Sequence, residues 1–299
     1  MKKFFWIPLA AMLALTACEK EEALLETSGS ADRRAKTKLD LNFSGLQRLD
    51  NARYEGWIIV NGEAISTGKF NITPSGQMAP HVFNVNSSDL EDATMFVLTI
   101  EPQPDVSPAP SGIKILAGTF SGSNATLTVG DPNAIGHDFT GAAGKYLLAT
   151  PTTATMADEK SGIWYIDNTS GSPMAGLMLP TLPAGWIYEG WTVIDGVVLT
   201  SGKFMSPMMA DMAAPYSGPL PGPPFPGEDY VMNAPAGLMF PTDLSGDKAV
   251  ITIEPYPDNS PEPFFLKPLE ADIPMSAMEH FSYMMTNVAS MFPTGTATR

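Results

Sequence analysis

The chain has 299 residues, 44% of them hydrophobic, with 32 acidic against 17 basic side chains and a net charge of −15. That length and apolar content are ample for a sizeable core. The acidic balance, with no basic cluster to offset it, repels phosphate backbones and excludes nucleic-acid binding.

The N-terminus reads as a targeting segment. Lys2 and Lys3 precede an apolar run, Phe4 to Leu15, which is too short to span a bilayer and ends in Leu15-Thr16-Ala17-Cys18. This resembles the bacterial lipoprotein signal, in which residues 1–17 are removed and Cys18, the only cysteine, carries the lipid. Removal takes two lysines and no acid, so the charge goes from −15 to −17. No thiol then remains for disulfides, thiolate catalysis or zinc–thiolate sites. Residues 18–38 open on Glu19-Lys20-Glu21-Glu22 and read as a flexible tether. The Lys-Glu-Glu run resembles the surface-export tag of Bacteroidetes lipoproteins. The expected place is the cell envelope, lipid-anchored and extracytoplasmic, at the outer membrane, with surface display and a periplasm-facing position both open.

From Lys38 onward the chain reads as short strands broken by Gly, Pro, Asn and Asp. The first half offers 38–43, 53–60, 64–72, 81–85, 95–101, 113–119, 125–129 and 145–150. The second half offers 162–166, 176–179, 186–194, 197–204, 248–254, 265–270 and a last strand within 290–298. Asn61-Gly62 and Asp195-Gly196 favour positive φ and predict type I′ hairpins. Met278, Phe281, Met285 and Val288 fall at helical spacing, which predicts a short helix over 276–288. Seven or eight strands per half imply an all-β fold of two tandem antiparallel β-sandwich modules, residues 39–158 and 159–299.

The halves repeat one another. YEGWIIVNGEAISTGKF (54–70) aligns without a gap on YEGWTVIDGVVLTSGKF (188–204), and LTIEPQPDVSPAP (98–110) on ITIEPYPDNSPEP (251–263). A third match sets Phe139 and Pro151 beside Phe281 and Pro293. Trp57 and Trp191 read as core anchors on strands covered on both faces. Gly68 and Gly202 suit a bulge. The second half carries 49 residues between Phe204 and Glu254, where the first has 30 between Phe70 and Glu101. The excess is a Met/Pro-rich insertion over 205–230, long enough to be functional or mobile.

The repeated block resembles the C-terminal, extracytoplasmic domain of the anti-sigma-K factor family. Tyr54, Glu55, Trp57, Gly68, Phe70 and Glu101, and again Tyr188, Glu189, Trp191, Gly202, Phe204 and Glu254, carry the resemblance, with Pro102, Ser107, Pro108 and Pro110. It implies a sensory or interaction module. Full-length members also have a membrane helix and a cytoplasmic sigma-binding domain, whereas nothing upstream of Leu39 matches one here, so no direct contact with a sigma factor is expected.

Few residues point to chemistry. Glu101 and Glu254 each end a strand before a proline-rich turn; a carboxylate pair serves glycoside hydrolysis, while the plainer reading has each accept backbone N–H groups at its own turn. Glu55 and Glu189 are weighed alike. His81, His137 and His280 are too scattered for a triad or zinc site. Asp131-Pro-Asn133-Ala-Ile135-Gly136 begins like a calcium loop, but Ile135 takes a ligand position and Ala142 stands where Glu is needed. Methionines are enriched: Met205, Met208, Met209 and Met212 in the insertion, and Met275, Met278, Met284 and Met285 around His280. Thioethers with a histidine suit copper(I); methionine also fills core gaps and lines adaptable surfaces.

The expected function is therefore a non-enzymatic envelope lipoprotein without a cofactor, bound to the membrane by its lipid. Its partner is an envelope protein or a small ligand, met on the second copy. A copper(I)-binding lipoprotein and a glycan-active enzyme are the alternatives.

Overall fold

The computed structural model describes residues 35–80, 82–258 and 260–299. The signal segment, Cys18 and the tether up to residue 34 lie outside the described residues.

In chain order the strands are β1 (Lys36–Ser44), β2 (Ala52–Val60), β3 (Glu63–Ile72), β4 (Met78–Ala79) and β5 (Val82–Asn86), then the helix α1 (Ser87–Asp92). There follow β6 (Met95–Pro102), β7 (Lys114–Ser121), β8 (Asn124–Thr128), β9 (Ala143–Leu148), β10 (Gly162–Trp164), β11 (Ile166–Asp167), β12 (Met174–Ala175) and β13 (Leu177–Met178). The rest are β14 (Trp186–Ile194), β15 (Val197–Phe204), β16 (Gly227–Asp229), β17 (Lys248–Pro255), β18 (Leu269–Asp272), β19 (Tyr283–Asn287) and β20 (Thr294–Thr298). The fold is all-β, as expected, and its two large sheets are antiparallel. β1 starts within the stretch read as tether.

The two sheets have one order. The first runs β3-β2-β6-β7-β8-β20-β1-β5, with β4 outside β3, and the second runs β15-β14-β17-β18-β19-β9-β10-β16. Across the open edges β3 approaches β5 and β15 approaches β16, so each sheet curls toward a barrel. Place by place the partners correspond, with one twist in connectivity. β20, which follows β19 of the second module, sits between β8 and β1 of the first. β9, which follows β8 of the first, sits between β19 and β10 of the second. The modules thus exchange one strand each, and no boundary near residue 158 separates them. The described residues form one compact unit, and one apolar cluster runs through both modules.

The chain crosses over at two phenylalanines. Phe139 precedes β9 and Phe292 precedes β20, and their rings meet edge-on at 5.5 Å. Asn287 ties the crossing by donating to the Phe139 and Ala142 carbonyls at 2.8 Å each. The structural counterpart of Phe139 is therefore Phe292, not Phe281, which lies exposed before β19. The sequence match at Phe281 and Pro293 is a chance one.

The hairpins form as read: Asn61 and Gly62, and Asp195 and Gly196, all have positive φ. Gly68 (φ +128°) and Gly202 (φ +112°) stand beside register shifts in the β2–β3 and β14–β15 ladders, the expected bulges. The helix expected over 276–288 does not form. Met285 points into the core from β19 while Met278 and Phe281 stay exposed, and the backbone of 283–287 satisfies itself between β18 and β9. Pairing on both sides outweighs the chance 3.6-residue spacing. The insertion also needs redrawing. Gly227–Asp229 is β16, the counterpart of β5, so the extra chain is 205–226 plus the longer return 230–247.

Strand exchange has a direct consequence for cleavage. A protease site placed within 154–157, in the exposed turn between β9 and β10, is expected to yield two fragments that co-elute natively and part only in denaturant. Separation in native buffer would show that β9 and β20 do not cross.

Candidate functional site

The duplicated motif builds the same scaffold twice. Tyr54 stacks on Phe70 at 5.4 Å and Tyr188 on Phe204 at 5.6 Å, and all four are buried. Each tyrosine donates its hydroxyl to a backbone carbonyl of the preceding segment, Gln47 and Pro180, at 2.7 Å. On the opposite sheet face Trp57 donates to Thr99 and Trp191 to Thr252, at 2.8 Å in both. The threonines in turn donate to Glu101 and Glu254.

Those two glutamates also accept backbone N–H groups from their own turns, Ser111 at 2.9 Å and Phe264 at 2.8 Å. They lie in different sheets, and neither lines any of the five clefts described. The structure does not bring them to a shared cleft. Glu55 and Glu189 face Lys69 and Lys203 at 3.6 Å, and each lysine reaches an aspartate of the proline-rich turn, Asp105 or Asp258, at 2.7 Å. Asp105 is held below the ordinary carboxylate range, chiefly by the Lys69 ammonium. Every motif residue thus has a partner within its own module.

The modules differ on the outer face of two sheet positions. In the first, β1 and β20 turn Asp40, Asn42, Thr296 and Thr298 outward. In the second, β9 and β10 occupy the same places and turn out Leu147 and Trp164. With Ala149 and Ile166 these form a separate apolar cluster, each residue no more than 6% exposed. Phe225, from the redrawn insertion, packs onto it. Gly222 and Gly227 let the chain pass against the Trp164 ring, since a Cβ at either would fall within 2.6 Å of indole carbons.

A cleft of about 310 Å³ opens beside this cluster. Leu147, Ala149, Trp164 and Ile166 line its apolar part, Pro223 comes from the insertion, and His280, Glu159 and Asn168 supply polar groups. Trp164 is held by its indole N–H, which donates to the buried Asp229 at 2.6 Å. Asp229 also accepts from the Thr152 amide at 2.8 Å and from its hydroxyl. His280, at φ +59°, places Nε2 3.4 Å from Glu159, and Glu159 accepts from the Thr150 amide at 3.0 Å. A strained, non-glycine residue on a cleft is a feature of binding sites. A second cleft, about 270 Å³, shares Trp164 and Pro223 and adds Asp211, Met212 and Ser217.

Of the candidate metal ligands, only His280 lines the larger cleft and only Met212 the smaller. Met205, Met208 and Met209 are exposed on the insertion, and Met275 and Met278 on the segment before β19. Of the clustered methionines only Met285 fills core, and the others are exposed. Among the described residues, 13 of the 18 exposed large apolar side chains are methionine, and past residue 150 only Met285 is buried. Among the described residues no group of three or more His, Cys, Asp or Glu is placed to hold a metal ion. His81 lies outside the described residues.

The sequence repeat does not mark Trp164, which has no counterpart in the first module. Gly162-Ile-Trp-Tyr-Ile166 carries bulky apolar groups on both strand faces, and that was the available signal.

Acid is buried preferentially in the second module. Burial pushes Glu189 and Glu228 up to about 8, Glu254 to about 7 and Asp211 to about 6. The ordinary glutamate value is 4.5, so the folded state binds these protons more tightly than the unfolded one. Their contribution to stability is fully present below about pH 4.5 and is lost as pH rises toward about 8. The thermal midpoint, followed by tryptophan fluorescence, is expected to fall by about 5 °C or more between pH 5 and pH 8.5. Glu228→Gln should flatten that slope; a midpoint that rises over this range would contradict the assignment. Comparison of the chain with protein-family models, with characterised proteins and with solved structures returns no match.

Proposed function

We propose that this chain is a non-catalytic binding module of the cell envelope, held there by lipid on Cys18, which takes a small, largely apolar ligand in the cleft beside Trp164. One observation carries the reading. Two modules of one sheet order differ on the same outer face, which is polar and open in the first and apolar and covered in the second. A stable pair of barrels could keep the polar face in both modules, whereas placing Trp164 and Leu147 where the first module has Asp40 and Thr298 requires a covering segment that the first module does without. The cleft is of ligand size, mixing apolar walls with a few fixed polar groups. A sensory role of the kind implied by the anti-sigma-K resemblance would place this ligand, or a protein partner, on the second module.

The test is ligand screening by thermal shift on the intact chain. A hit is expected to lose at least about tenfold in affinity in Trp164→Ala, which removes the aromatic wall of the cleft. Thr296→Ala, at the corresponding face of the first module, should leave binding unchanged. Equal loss in both variants, or ligands that bind Trp164→Ala normally, would sink the proposal.

The exposed thioethers favour copper(I) binding as a second reading. Competition against a chromophoric copper(I) chelator is expected to show stoichiometric uptake, abolished when Met205, Met208, Met209 and Met212 are all changed to Leu. Uptake that survives the fourfold change would remove that reading.

A further inference from the structure

We propose that β20 is a releasable strand, and that the slot between β8 and β1 accepts β20 from a second copy of this chain. The argument begins with the two exchanged strands, which hold topologically equal places unequally. β9 and β20 carry glycine at matching positions: Gly144 opposite Met285, and Gly295 opposite Leu127. Two residues on, β9 inserts Tyr146 and then Leu148, both buried to within 1%. β20 offers Ala297 and then Arg299 at those places. Apolar side chains fasten the strand of the second module, while that of the first is held by its ladders and by one arginine.

Arg299 acts as the latch. Its Nη1 donates to the carbonyls of Leu90, Glu91 and Ala93 at 2.7, 2.9 and 2.8 Å, and its Nε to Gly122 at 3.1 Å. The guanidinium lies 4.7 Å from the Phe120 ring centroid. Leu90 to Ala93 are the end of α1, whose carbonyls have no partner within so short a helix. Releasing β20 therefore opens both faces of a central slot and uncaps α1, so an empty slot is strongly disposed to refill.

The slot is selective. A Cβ on Gly295 would meet the Phe43 ring at 2.4 Å, and Ala297 is fully buried. It therefore takes a strand with small residues at two inward positions and a cation two residues further on. β9, with Tyr146 where Ala297 stands, does not fit. β20 of another copy fits in every contact, and the exchange already made between the two modules shows that the strand is delivered from a distant part of the chain. Exchange of an identical element between copies is a low-cost route to association.

The test uses two full-length variants in which Cys18 is replaced by Ser. One carries Thr126→Cys and the other Thr296→Cys, at exposed positions directly opposite in the β8–β20 ladder. Mixed at high concentration under mild oxidation, they are expected to give a disulfide-linked heterodimer well above the homodimer formed by either alone. Adding Arg299→Ala removes the latch from the closed and the exchanged forms alike, so it should speed formation of the heterodimer by about tenfold without raising its final yield. Thr126→Cys/Thr296→Cys in one chain must close internally, which checks the geometry and the folding. Complete internal closure with no heterodimer, with or without Arg299→Ala, would overturn the proposal.

Discussion

A strand inside a sheet needs partners on both sides, and in this molecule neither sheet can find them within its own stretch of chain. Without β20, β8 and β1 would present unpaired N–H and C=O groups toward each other; without β9, β19 and β10 would do the same. Unpaired sheet edges are costly when buried and prone to association when exposed. Each half of the chain supplies the strand that the other lacks. The single cluster of buried side chains spanning both halves, and the Phe139–Phe292 contact at the crossing, follow from that mutual debt.

The duplicated motif takes its meaning from the same constraint. β2 and β14 are central strands covered on both faces, so each motif residue has an assigned neighbour. Tyrosine stacks on phenylalanine inward, tryptophan bonds to threonine outward, and the lysine lies between the first glutamate and an aspartate of the proline-rich turn. Gly56 and Gly190 are forced, because a Cβ there would collide with Phe96 in one module and Tyr165 in the other. Buried polar networks of this sort are tolerable only when complete. That explains why the motif persists as a set, and why its carboxylates are poor candidates for chemistry: their oxygens are largely engaged with groups of their own module.

Much of the fold was legible in the sequence because its signals are local. Asn61-Gly62 and Asp195-Gly196 fix the hairpins through φ alone, and the strand patterns locate β1 to β3, β14, β15 and β17 within a residue or two. What was not legible is what depends on distant pairing. Nothing in Ala143–Leu148 says that its partners are β19 and β10 rather than β8. The helix expected at 276–288 failed for the same reason, since two flanking strands offered its backbone better partners than an isolated turn could. The cleft was half legible: the insertion marks the second copy, but Trp164 lies outside the repeated residues.

Divergence between tandem copies carries information that similarity does not. The shared residues describe how one barrel stands, and selection for standing up acts on both copies alike. The outer faces of β1 and β20 are under no such demand, and there the first module shows the polar surface expected of strands facing water. On β9 and β10 the same two places hold Leu147 and Trp164, backed by a buried Asp229 whose bonds to Trp164 and Thr152 fix the indole in place. Burying that carboxylate is unfavourable and raises its affinity for a proton. An ordered tryptophan supported by a buried acid, on a face where the sister module makes do with threonine, is an expense that the fold itself does not require. It is on that surface that the function of the chain is to be sought.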